Sequence, residues 1–313
     1  MTVQETQPST RTLVRANASK RTREQPPTSA RRRVGLIPAH VFLLILVFYF
    51  VMPLWWLMVA STKSTAGLFN GDGGPLWFDS EMNLWENIVG LATYNGGEYF
   101  RWMANSALYA FVGGIGATVL AVLAGYGLAK YKFRGRNLSF AILLGSVMIP
   151  STALVIPTFV LLSQVGMVNT IWAVILPSLL NPFAVYLMRV YAADAIPDEL
   201  LDAARVDGAG EYRTFLQVCL PLLRPAIVTV LLLSVVSTWN NYFLPLAMLN
   251  DSRLFPITVG LGVWQGQAIQ NSGGQQIWNL MITGAFLSII PLIIAFLALQ
   301  KYWRGGLALG SVK

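Results

Sequence analysis

Six long apolar runs, at about residues 34–60, 103–129, 138–162, 168–191, 226–249 and 277–299, alternate with more polar segments along the chain. Each reaches the roughly 20 residues that an α-helix needs to cross the hydrocarbon of a bilayer. Pro53, Pro150, Pro157, Pro177, Pro182, Pro245 and Pro291 fall inside these runs. In lipid they predict kinks rather than breaks, because neighbouring helices take up the freed backbone groups. The pattern predicts an all-α polytopic membrane protein with six transmembrane helices in one domain over residues 34–313. Residues 1–33 are rich in Thr, Arg, Pro and Ser, lack apolar periodicity, and read as a disordered basic tail. Both the tail and the run after it are too long for a cleavable signal, and no small-residue cleavage site follows.

Charge gives the spans a direction. Only 12% of the 313 residues are charged, against about 25% in soluble domains, so the solvent is a membrane. Of the 22 Lys and Arg residues, nineteen lie in the tail, at 130–136, around 189–224 and in the last thirteen positions. Lys63, Arg101 and Arg253 fall in the alternate segments. The positive-inside rule therefore puts both termini in the cytoplasm. The net charge of +8 is then a topology signal, helped by anionic lipid, and no nucleic-acid role is expected.

Candidate chemistry is sparse. The single cysteine, Cys219, excludes an intrachain disulfide or a cysteine-rich metal site, and His40 beside the first run reads as interfacial packing. There is no G-x-x-x-x-G-K-[ST], H-E-x-x-H or G-x-S-x-G. All 14 acids fall outside the spans, which removes a mid-membrane proton relay. No catalytic, cofactor-binding or metal-binding residue is predicted. Gly113, Ala117, Ala121 and Gly125 form a small-residue stripe suited to close packing within the chain, or else to a subunit interface. The outward segment 61–102 has a glycine-rich start and three tryptophans, Trp77, Trp85 and Trp102, expected at the membrane interface.

One cytoplasmic stretch stands out, LLDAARVDGAGEYRTFLQVCLPLLRP from Leu200 to Pro225. Pro197 suits a first helical turn, and Asp198, Glu199 and Asp202 suit the positive end of a helix. Gly208 is placed to take a conformation that other residues avoid. A second short helix is expected from Gly210 to Leu220, stopping ahead of Pro221. The result is a compact knob facing the cytoplasm, or simply an amphipathic connector between two spans.

This stretch resembles the EAA signature of binding-protein-dependent ABC importer permeases, EAA-x-x-DGA…F…LP…P. Its elements stand here as Asp202, Ala203, Ala204, Asp207, Gly208, Ala209, Phe215, Leu220, Pro221 and Pro225, with aspartate where the family usually has glutamate. Asn105-Ser106, Trp239-Asn240-Asn241 and the ending Gly306–Lys313 resemble the maltose-type carbohydrate branch, although Gly305 stands where that branch often has arginine. The resemblance covers residues 36–313. It implies a type I ABC importer permease fold in a bacterial or archaeal plasma (inner) membrane. It also implies coupling helices at 194–220 that fit a cleft on an ATPase. Expected partners are a second homologous permease, two cytoplasmic ATPase subunits that carry the ATP and Mg, and an extracytoplasmic solute-binding protein. The implied solute is a sugar, oligosaccharide or sugar derivative.

The fifth run ends in Ser237, Thr238, Trp239, Asn240, Asn241 and Tyr242, a polar cluster among Leu, Val and Ala. An unpaired polar group in hydrocarbon costs several kcal/mol, so the cluster should face protein or a water-filled path. In a continuous helix Thr238, Asn241 and Tyr242 would share one face. The candidates for the solute path are thus Thr238, Trp239, Asn240, Asn241 and Tyr242, with hydrogen bonding between helices as the plain alternative. The rival functional readings are a permease for an amino acid or phosphate ester, a self-sufficient carrier or channel, and a membrane scaffold.

Overall fold

The computed structural model describes residues 29–270 and 277–307, with side chains from Pro38 to Gln270 and from Ile277 to Tyr302. Residues 1–28 of the expected tail and 308–313 of the terminal motif lie outside the described residues. The regular secondary structure of the described residues is helical throughout. The chain divides into a unit ending at Leu54 and a second unit from Trp55 onward. Helix α1, Ser29–Ser61, begins in the first and ends in the second.

After α1 come two short helices, α2 (Thr65–Asn70) and α3 (Leu84–Thr93). They are held by a buried polar knot. Lys63 pairs with Asp79 at 2.5 Å, both nearly sealed from solvent, and donates to the Gly74 carbonyl. Asn87 donates to the Ser61 and Lys63 carbonyls and accepts from Asn279. Buried charges persist only when paired and hydrogen-bonded, and here every member has a partner.

The long helix α4, Glu98–Lys130, carries the small-residue stripe, and all four of its members are buried. It packs most extensively on α8 (Pro182–Ala195) and α11 (Leu220–Trp239). A β-carbon at Gly125 would lie 2.5 Å from Met188 and 2.8 Å from the Arg189 nitrogen. One at Gly114 would lie 2.7 Å from Val235. Gly125 of the stripe thus lets α4 and α8 close on one another, and Gly114, next to the stripe, does the same for α4 and α11, the packing lipid favours. Asn105 and Ser106, at the start of α4, bind the segment before α13 (Ile257–Gln270): Asn105 donates to the Arg253 and Phe255 carbonyls, and Ser106 accepts from Ile257. Trp102 is a correction to the interfacial expectation. It is 1% exposed, lies against Gly260 and Trp264, and donates to the Ser252 carbonyl, while Trp77 and Trp85 are exposed.

The third apolar run also departs from a simple span. It forms α5 (Arg136–Val147) and α6 (Val155–Gln164), joined through a tight turn at Ser151–Leu154 with a 99° bend. Pro150 has no N–H to continue the ladder and disfavours the helical conformation in the residue before it. Among the described residues five helices are long and apolar enough to cross a membrane, and six when the bent pair counts as one. The fourth span is likewise articulated. Its first part, α7 (Trp172–Ser178), yields to α8 at Asn181, whose side chain accepts from the Ala184 amide ahead of Pro182. The last helix of the described residues is α14, Trp278–Leu307.

Candidate functional site

The first helix of the knob and its glycine turn form where the sequence predicts them. Helix α9, Asp198–Val206, starts after Pro197 with Asp198 and Glu199 in its first turn. Leu201 and Ala204 are buried and anchor it on the body. It ends in a Schellman motif: Gly208 donates to the Arg205 carbonyl at 3.0 Å and Ala209 to the Ala204 carbonyl at 2.9 Å. Gly208 has φ +77°, and a β-carbon there would touch nothing within 4 Å. Glycine is needed here for backbone conformation alone.

Short α10, Glu211–Thr214, begins at Gly210 and does not stop before Pro221 as expected. It passes through a π-turn, Phe215–Cys219, directly into α11, so that Glu211–Trp239 is one 29-residue helix. A proline clashes with the carbonyl four residues back, here Gln217, and leaves it without a donor. The wider π-turn moves that carbonyl, which is how the helix survives Pro221.

Side chains then lock the knob to itself and to α4. Arg205 donates to Asp202 at 3.1 Å and to Glu211 at 3.0 Å, bridging α9 and α10 across the glycine turn. These carboxylates hold the Arg205 guanidinium above its ordinary pKa, Glu211 contributing most. Tyr131, just past α4, donates to the other Glu211 oxygen at 2.9 Å, and Lys130 pairs with Asp198 at 2.8 Å. Below the turn, Phe215 lies 4.9 Å from the Tyr126 ring and Cys219 donates to the Tyr126 hydroxyl.

The predicted coupling residues therefore fall into two groups. Asp202, Ala203, Asp207 and Gly208 are exposed on the knob. Ala204 is buried, while Ala209 and Phe215 are half-buried, and Phe215 packs on Tyr126. Sequence reasoning passed over Val206 and Tyr212, which are 88% and 77% exposed on either side of the turn. A signal for Val206 existed: at 100° per residue it lies opposite Leu201 and Ala204, an apolar side chain on what should be the wet face.

The polar cluster is arranged differently from the expectation. Helix α11 stops at Trp239, so the shared face of Thr238, Asn241 and Tyr242 does not form. The reason lies ahead, in α12 (Phe243–Met248). Pro245 excludes a helical bond to the Asn241 carbonyl, which accepts instead from the Thr258 hydroxyl at 2.8 Å. Asn240 donates both its backbone N–H and its side-chain amide to the Val236 carbonyl, closing the end of the helix. Trp239 is buried, Thr238 lies near Gly113, and Tyr242 packs against Gly262. Ser237 and Asn240 are exposed.

Comparison with known proteins gives this geometry its context. Residues 117–304 match the family of binding-protein-dependent transport system inner membrane components. The chain is 34% identical to an arabinooligosaccharides transport system permease protein of Halalkalibacterium halodurans, with 86% of this chain and 93% of that one covered. It is 30% identical to the lactose transport system permease protein of Rhizobium radiobacter (91% and 99%). It is 27% identical to a sn-glycerol-3-phosphate transport system permease protein of Yersinia pestis (88% and 97%). Its fold matches, with a TM-score of 0.74, 25% identity and coverage of 89% and 100%, a chain from the crystal structure of a bacterial ABC transporter involved in the import of the acidic polysaccharide alginate. A match over more than half the chain, with relatives aligned nearly end to end, settles membership: the chain belongs to the binding-protein-dependent transport system inner membrane component family and is a multi-pass, non-catalytic permease subunit of an ABC transporter.

Proposed function

We propose that this permease imports a sugar, oligosaccharide or sugar derivative. It would pair with a second homologous permease, take solute from an extracytoplasmic binding protein, and be driven by two cytoplasmic ATPase subunits that hold the ATP and Mg. Both termini and the knob face the cytoplasm, as the basic residues require.

One observation carries the reading. The knob and the polar cluster are the two ends of a single helix, Glu211–Trp239, about 40 Å long at 1.5 Å per residue. A cleft on the ATPase that grips Val206, Asp207 and Tyr212 would move Ser237–Tyr242 without a flexible joint between them. Arg205, Tyr131 and Lys130 bring α9 and α4 along with that helix. Closure of the ATPase pair then shifts the population between inward-open and outward-open states, because the grip differs between them.

The arabinooligosaccharide and lactose relatives favour a sugar, and so does the chemistry of the cluster. Hydroxyls of a neutral solute want amide and hydroxyl partners, which Asn240, Asn241 and Ser237 supply without a fixed charge. The glycerol-phosphate relative supports a second reading, a phosphate ester, though the cluster holds no cation to match it. Uptake of labelled arabinooligosaccharide, lactose and glycerol 3-phosphate decides the matter in cells that express the chain with its cognate subunits. ATP-dependent uptake of a sugar is expected. Uptake of glycerol 3-phosphate alone would select the second reading, and uptake without any ATPase subunit would make the chain a self-sufficient carrier.

A further inference from the structure

We infer that the cytoplasmic junction of α4 and α5 binds the phosphate of one anionic phospholipid, held by Lys132 and Arg136. The turn after α4 carries Lys132, Arg134 and Arg136, and a cavity of about 290 Å³ opens there, lined by Lys132, Phe133, Gly135, Arg136, Asn137 and Leu138. These basic residues form no ion pair with a carboxylate among the described residues. Asp198, which Lys132 also acts on through space, is hydrogen-bonded to Lys130 at 2.8 Å.

Arg136 is half-buried and partly committed. Its Nε donates to the Leu128 carbonyl at 2.8 Å and one terminal nitrogen to Ala129 at 3.1 Å. These bonds fix the guanidinium plane, and of its five N–H donors the others remain for a planar, bidentate match to phosphate oxygens. Lys132 is exposed and makes no hydrogen bond among the described residues, so its ammonium can close on the same anion.

Two observations favour a lipid over free phosphate. The cavity has room for a headgroup but not for acyl chains, and a path for chains leads away from it. Leu138 and Ile142, one helical turn apart on α5, are each 65% exposed, and Phe133 at the rim is 48% exposed. Further along α5, Arg189 of α8 lays its guanidinium over Phe140, 3.6 Å from the ring centroid, and its buried Nε has no partner. Arg189, half-buried and set over that ring, adds a second positive charge beside the same helix, which the anionic leaflet favours in a chain that spans a membrane.

The inner-leaflet location rests on the cytoplasmic assignment proposed above, but the binding test does not. Native mass spectrometry of the full-length chain is carried out in detergent with equal phosphatidylglycerol and phosphatidylcholine. One phosphatidylglycerol adduct should survive the activation that strips phosphatidylcholine. Lys132→Gln, which breaks no hydrogen bond among the described residues, should reduce it about fivefold, the loss of one direct hydrogen-bonded contact to the phosphate. Arg134→Gln removes the same charge outside the cavity lining and should change it by less than about twofold. Equal retention of both lipids, no loss in Lys132→Gln, or equal loss in both variants would overturn the site. Displacement of the adduct by millimolar inorganic phosphate would assign the site to the free anion and refute the lipid.

Discussion

The knob at Leu200–Cys219 and the cluster at Ser237–Tyr242 are both polar interruptions of an apolar chain, and they sit at opposite ends of one helix. They use hydrogen bonds in opposite ways. In the knob, charged side chains bond one another and the last carbonyls of α9 are closed by the Gly208 turn. Its shape is therefore complete without a partner, and Val206 and Tyr212 are left outside it. In the cluster, side chains bond the backbone instead, Asn240 to Val236 and Thr258 to Asn241, and Trp239 sinks into the core. The knob is a formed part whose outer side chains stay uncovered. The cluster is a helix end dissolved into its surroundings, with only Ser237 and Asn240 clear of them.

The sharpest way to break this contrast is Gly208→Val. At φ +77° a β-branched residue pays a conformational cost of roughly 1–2 kcal/mol, yet no neighbour lies within 4 Å to clash. The chain should insert and stay folded, its melting temperature falling by only a few degrees, while transport and substrate-stimulated ATP hydrolysis in the assembled complex are lost. Gly208→Asn, which tolerates positive φ better, should restore part of both. Full coupling in Gly208→Val would mean that the knob's shape is irrelevant and that the stretch is a plain connector.

The same contrast explains what was legible in the sequence. The knob's elements are local: Pro197 and the acids of the first turn, and Gly208 at the turn. Short-range rules capture such features, and the small-residue stripe of α4 was readable for the same reason. The cluster depends on Pro245 ahead of it and on Thr258 seventeen residues beyond Asn241, so a helical-wheel argument carried α11 too far. The 99° bend at Pro150 and the passage of a helix through Pro221 form a pair. Proline breaks the first because the chain turns away there, and spares the second because a π-turn makes room. Nothing in the local sequence separates those outcomes. Tyr131, which joins α4 to Glu211 across 80 residues, was out of reach for the same reason.

A smaller effect sharpens the cluster's half of the comparison. In a Cys219→Ser background, Ser237→Cys and Asn240→Cys should react with a membrane-impermeant maleimide in the assembled complex, and the rates should change when ATP is supplied. Trp239→Cys, at a buried position, should react far more slowly. Inaccessibility of 237 and 240 in every nucleotide state would take this helix end out of the solute path and leave it a packing role.

The smallest expected effect tests whether the knob stands alone. Its link to α4 through Lys130 and Asp198 is an ion pair whose carboxylate is 81% exposed, and such pairs contribute little because water screens them. Lys130 nonetheless holds the Asp198 carboxyl below its ordinary value of 3.8. The folded chain binds that proton less readily than the unfolded chain. The contact therefore stabilises above the ordinary value, and its contribution is lost as pH falls through the lowered one. Melting of the full-length chain in detergent should show a slight decrease for Asp198→Asn at about pH 7, unchanged down to about pH 5 and gone once the pH has fallen through the lowered value. A large decrease at neutral pH would mean that α9 hangs from α4 by this one bridge. The knob would then be as dependent on distant contacts as the polar cluster, and the ATPase would be gripping a flexible loop instead of a formed part.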